Sequence, residues 1–224
     1  MSVSIVILVE TTIIMIKYGV NMIVTGEMIL DSYVAEGRLY NNPRMKLSRD
    51  VKEGKYIRLK KDLYETDPNA PSIGLAQAIY GPSYISFDYA LSYYGMIPEY
   101  ARNVTCATFG KHKNKRFDTN FCSFLYTDVP KKVFNEGRVC VKLDNYSFWI
   151  ATREKALCDK LYKLSPAENM VDFEELILDD LRVDEDCLME LNFNEIGRLS
   201  GMYGCRNVSM LYHYLTPEGE IILA

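Results

Sequence analysis

Between residues 103 and 151 the chain carries four strand-like runs, "NVTCATF", "FCSFLYT", "RVCVKLD" and "YSFWIA". Alternation is cleanest in "RVCVKLD", where Val139, Val141 and Leu143 fall on one face of an extended chain. A helix signature stands on either side of the runs. Before them, Ser86 is placed as an N-cap with Asp88 in the first turn, and Phe87, Ala90, Leu91 and Tyr94 recur at helical spacing. Gly95 and Pro98 close that segment. After the runs, Thr152 opens a helix in "ATREKALCDKLYKL" with Leu157, Leu161 and Leu164 on one stripe. Helix, antiparallel strands, then helix predicts an α+β domain over residues 72–164. The basic stretch "GKHKNKRF" reads as the loop that links the first two runs.

The remaining residues divide by composition. Residues 1–27 contain the apolar runs "VSIVILV" and "IIMI", interrupted by Glu10 and Lys17. A membrane-spanning helix needs about 20 nearly unbroken apolar residues, and a secretory signal needs a positive region ahead of its apolar core. The expectation is an apolar N-terminal extension that packs on the body as a short strand or helix, or that lies upstream of a start at Met22 or Met28. No membrane partner is expected. The six cysteines form no CxxC pair and there are two histidines, so neither a metal nor any other cofactor is expected. Buried free thiols in a reducing cytoplasm are the predicted state of the cysteines.

Charge is segregated. Residues 38–61 hold nine Lys and Arg against two Asp and Glu, a net of +7, in a chain whose formal net charge is -4. Residues 165–224 hold three against thirteen, a net of -10, and read as an acidic region of three or four short helices. Within it, Asp172 with Glu175 resembles a capping box, and Phe173, Leu176, Ile177 and Leu181 form an apolar stripe. The acidic faces are expected to be simply solvated; the competing functional reading is a surface that repels DNA and receives a basic partner.

Residues 28–66 read as helix, helix, hairpin. "EMILDSYVAEG" places Ile29, Leu30, Tyr33 and Val34 at helical spacing. Asn42 and Pro43 open a second helix with Arg44, Lys46, Arg49 and Lys52 turned outward. In "GKYIRLKKDLYE", Ile57, Leu59 and Leu63 face inward, while Arg58 and Lys60 point the other way. Asp62 sits where a left-handed turn conformation is required. A basic helix followed by a basic hairpin is the order of a winged helix-turn-helix, and Lys55 and Lys61 complete its candidate DNA-binding set. Any further helix of such a unit has to come from residues before 28.

Three strings, "GKYIRLKKDLYE", "PSYISFDYALSYYG" and "IATREKALCDKLY", occur in this order. Together they resemble the AbiEi-type antitoxins of type IV toxin–antitoxin pairs, over roughly residues 30–164. The resemblance implies a winged-helix regulator that binds operator DNA and represses its own operon. It also implies an antitoxin that counteracts a nucleotidyltransferase-like toxin without a stable complex between the two. Paired half-sites on the operator would favour a dimer on DNA. The family strings carry over to Ser83, Tyr84, Ser86 and Tyr94 in the first helix motif, and to Thr152, Glu154, Lys155 and Asp159 in the second. Two departures stand out: Asp62 replaces the usual Gly before Leu-Tyr, and residues 28–66 have room for two helices where the family commonly has three.

No GxGxxG, Walker loop, GxSxG or HExxH motif is present, so no catalytic residue is assigned and an enzyme is not expected. Two other readings compete. One is a regulatory or interaction module without sequence-specific DNA binding. The other is a metal-dependent nuclease assembled from the basic loop and scattered carboxylates.

Overall fold

A computed structural model describes residues 21–37 and 40–216. Most of the apolar extension expected over 1–27, together with Arg38, lies outside the described residues. The fold is α+β, with two sheets that each carry helices on one face or more.

The first sheet is small and antiparallel. Strand β1 (Ile23–Thr25) leads directly into helix α1 (Gly26–Ala35) and helix α2 (Pro43–Lys52). The hairpin β2 (Ile57–Lys60) and β3 (Leu63–Glu65) follows, and β1 pairs against β3 to give the order β1-β3-β2. Residues 23–25 therefore belong to the winged-helix-like unit. Asn42 caps α2 through its side chain, with Pro43 in the first turn. On the helix side of the sheet, Val24, Tyr56 and Tyr64 pack with Ile29, Tyr33 and Leu47. Val34, expected on the apolar stripe of α1, is 64% exposed. The sheet's other face gives Leu59 to the main core, so the hairpin is held between two layers.

Asp62 takes φ 63° in the hairpin turn. Its backbone carbonyl accepts the Gly26 N–H, which brings the turn against the first residue of α1. A Cβ at Gly26 would meet the end of the Asp62 side chain, so a larger residue there would have to displace that carboxylate.

The second sheet has six strands in the order β6-β7-β5-β4-β9-β8. Helix α3 (Ser72–Ile79), strand β4 (Tyr84–Ile85) and helix α4 (Phe87–Tyr93) precede β5 (Val104–Thr108). Strands β6 (Lys115–Asp118), β7 (Ser123–Asp128), β8 (Arg138–Leu143) and β9 (Tyr146–Ala151) complete it. The sheet is mixed, where sequence alone predicts antiparallel strands: β5 runs parallel to β7 and β4 runs parallel to β9. The cause of the β5–β7 pairing is the basic stretch. Its second half is not loop but the edge strand β6, which reverses the chain so that β7 returns beside β5 in the same direction. Phe117 is the one inward anchor of β6, packed against Tyr80 and Tyr126, and the neighbouring cations hide its strand pattern.

Helix α5 (Arg153–Tyr162) starts at Thr152, whose hydroxyl accepts the Lys155 N–H. The acidic region then forms α6 (Met170–Glu175), a π-turn over Leu176–Asp180, α7 (Glu185–Met189), α8 (Phe193–Tyr203) and α9 (Arg206–Leu215). Helix α6 is capped by Asn169 rather than by the expected Asp172, which lies in its first turn. All six cysteines are free, but only Cys106 and Cys158 are buried. Cys140 is exposed because it lies on the outward face of β8, an edge strand.

Candidate nucleic-acid interface

Helix α2 is poor in apolar residues. Only Leu47 and Asp50 are buried along it, so its remaining faces carry cations into solvent. The hairpin stands across from it. Between them, and reaching the start of α1, is a cleft of about 960 Å³. Arg44 and Lys52 line it from α2, and Arg58 and Lys61 line it from the hairpin. Glu27 and Asp62 lie at its α1 end. Arg58 is held in place by Tyr64, its cross-strand partner, whose ring centroid is 5.7 Å from the guanidinium and whose hydroxyl accepts from it at 3.3 Å. Arg49 is exposed on α2, outside the cleft.

The other three cations of the candidate set are engaged elsewhere. Lys46 is not free to face outward. Its ammonium donates to Asp50, one helical turn later, and the Tyr33 hydroxyl donates to the other oxygen of the same carboxylate. Burial pushes the Asp50 carboxyl up, but the hydrogen bonds from Lys46 and Tyr33 and the charges of Lys46 and Lys55 outweigh it, leaving it below its ordinary value. Lys55 spreads over tyrosine rings, 5.3 Å from Tyr56 and 6.0 Å from Tyr33. Lys60 points toward the second domain, donating to the carbonyls of Ile79 at 2.5 Å and Ala78 at 3.2 Å at the end of α3. A bulge between Arg58 and Lys60 breaks the strict alternation that would have kept both on one face.

Four of the motif residues of the second domain, Tyr84, Ser86, Lys155 and Asp159, converge, but not on the surface. Lys155 and Asp159 lie one turn apart on α5, both 0% exposed. Lys155 Nζ donates to Asp159 Oδ1 at 2.5 Å, to the Tyr84 hydroxyl at 2.7 Å and to the Tyr203 hydroxyl at 2.5 Å. Asp159 Oδ1 also accepts from Tyr203, and Oδ2 accepts from Tyr84 at 2.8 Å and Ser86 at 2.7 Å. All three ammonium donors are therefore used, and each carboxylate oxygen accepts twice. Burial pushes the Lys155 ammonium down, against the pull of Asp159, and burial together with the Asp159 charge raises the Tyr84 and Tyr203 hydroxyls. The cluster ties β4, α5 and α8 together.

Ser86 stands at the N-cap position of α4, yet its hydroxyl serves Asp159 and makes no cap bond. Phe87 follows with φ 56°, a conformation that costs an aromatic residue energy and is held by the bonds on either side of it. Tyr94 donates to the Ala151 carbonyl at 2.9 Å, and Glu154 accepts the N–H of Asn192, which caps α8. The Ser83 hydroxyl is buried without a hydrogen-bond partner among the described residues. Glu154 and Asp159, five apart on α5, diverge around the helix. The relevant spacing was Lys155 to Asp159, four apart on one face. Tyr203 carried no local signal, because it joins from 44 residues away.

Among the described residues, no three His, Cys, Asp or Glu side chains come together in a group able to hold a metal ion, and no helix is long and apolar enough to cross a membrane. No protein-family model matches the chain, and no curated protein matches it.

Proposed function

We propose that this protein binds double-stranded DNA through α2 and the hairpin that flank the cleft, and that it acts as the antitoxin and autorepressor of an AbiEi-type pair. The observation that carries the DNA reading is the pairing of Arg44 and Lys52 on one wall with Arg58 and Lys61 on the other, in a strand–helix–helix–hairpin unit. In this reading α2 enters the major groove, with Arg44 and Arg49 reaching base edges, while Lys52, Arg58 and Lys61 hold phosphates. The antitoxin half rests on the three ordered strings that resemble the AbiEi-type family. It assigns the protein a nucleotidyltransferase-like toxin as its functional opponent, without a stable complex, in the cytoplasm. Paired half-sites would bring two copies to the operator.

The test is a gel shift on DNA taken from immediately upstream of the protein's own gene. Binding should weaken steeply with salt, with a log–log slope between about -3 and -5 for the handful of phosphates contacted. Replacing Arg44, Arg49 and Arg58 together by Ala should abolish it, and unchanged binding by that variant would overturn the site. Co-expression tests the other half: the adjacent gene product should be toxic, and this protein should relieve the toxicity. Relief of toxicity without any DNA binding at low salt would favour a regulatory module. That alternative is supported by the engagement of Lys46 and Lys60 away from the cleft.

A further inference from the structure

The basic stretch of the second domain is not used by the winged unit or by the buried cluster. Lys111, Lys113, Lys115 and Arg116 fall within six residues that contain no acid. The segment is built rather than loose. The Asp128 carboxylate accepts the N–H groups of Lys111 at 2.6 Å and His112 at 2.7 Å and the Thr108 hydroxyl at 2.6 Å, folding the turn around one acid. Gly110 and His112 take φ 63° and 55° to allow it.

Its position matters more than its charge. Lys111 Nζ donates to the Gly81 carbonyl at 3.3 Å and lies 5.1 Å from the Tyr80 ring. Lys60 of the hairpin donates to Ile79, two residues earlier. The hairpin and the basic turn are therefore anchored on the same end of α3, and Cα atoms of β2 and β6 approach within 8 Å. Not every cation there is available: Arg116 is bound to Asp118 at 2.8 Å and to Ser123 at 3.0 Å. Lys113 and Lys115 are exposed, and their ammonium groups make no hydrogen bond or ion pair among the described residues, although the Lys115 backbone belongs to β6.

We propose that Lys113 and Lys115 form a second phosphate-binding surface, which continues the duplex footprint from the hairpin onto the α+β domain. The inference rests on DNA being the ligand of the winged unit. A duplex carries a charge every ~1.7 Å along its axis, so its backbone does not end at the edge of one small unit. Two free ammonium groups beside the hairpin, one on a turn held in shape from behind and one at the start of β6, match that backbone in charge and in continuity. This surface reads no sequence. Through it, the second domain takes part in holding the operator.

The experiment is a salt titration of binding by the full chain, using a duplex of about 30 base pairs from upstream of the gene and an unrelated duplex of equal length. The double variant Lys113→Ala with Lys115→Ala should bind both more weakly, with a log–log slope shallower by about 2. A control removes the same charge at Lys131 and Lys132, which are exposed beside α8. The control should keep the wild-type slope. Equal slopes for the double variant and wild type, or an equal loss in the control, would overturn the inference while leaving the winged-unit reading intact. Failure of the wild type to bind either duplex would overturn both.

Discussion

The protein contains the same small device twice. In each half a Lys and an Asp lie one turn apart on a helix, and tyrosine hydroxyls complete the carboxylate's hydrogen bonds. In the winged unit the device is Lys46, Asp50 and Tyr33, with the Lys46 side chain still 22% exposed. In the α+β domain it is Lys155, Asp159, Tyr84, Tyr203 and Ser86, with no exposure of either charged group. The chemistry is alike and the consequence differs. The enclosed version joins a strand and two helices, and breaking it leaves a charge with no water to turn to. The open version joins α1 to α2 near the surface and withdraws one cation from the face that we assign to DNA.

That difference orders three tests. The largest effect belongs to Asp159→Ala, which strands the Lys155 ammonium in the core. It should cost about 3–5 kcal/mol of global stability, read as a lowered urea midpoint. A midpoint within experimental error of wild type would show that the two clusters do not differ as claimed. Asp50→Asn comes second. It should cost about 1–2 kcal/mol, seen as faster amide exchange confined to α1 and α2, because Asp50 is buried but the Lys46 ammonium is partly exposed and can turn to water. The same variant frees Lys46, so DNA binding should hold or strengthen, whereas a marked loss would mean that Asp50 orients the interface.

The third effect is the smallest and depends on pH. The Asp50 carboxyl is held below its ordinary 3.8 in the folded protein, so the stability it contributes is complete above that value. It is lost as pH falls through the depressed value. The difference in α2 exchange between wild type and Asp50→Asn should therefore be constant from neutral pH down to about 4, then shrink in more acid solution. A difference that instead shrinks between pH 7 and 5 would remove Asp50 as its source.

Local signals made much of the fold legible. Asn42–Pro43 and Thr152 marked helix starts that are capped as their side chains allow. The alternation in "RVCVKLD" marked β8, and Asp62 adopted the left-handed turn. Where sequence reasoning missed, a longer-range partner decided. The cations of residues 111–116 give β6 the pattern of a loop, yet pairing with β7 holds it extended. Ser86 was read as a cap, but a deeper acceptor took its hydroxyl.

The sequence by itself determined the α+β class, the segregation of charge and the helix–helix–hairpin order, because each depends on neighbours within a few residues. The tertiary structure alone decided which cations remain available. Lys46 and Lys60 look equivalent to Arg44 and Lys61 along the chain. They are removed by Asp50 and by the carbonyl end of α3, groups that folding brings within hydrogen-bond reach. The same process places Lys113 and Lys115 beside strand β2 of the hairpin, more than 50 residues earlier in the chain. Charge along a sequence counts cations, but only packing says which acids and carbonyls have already claimed them.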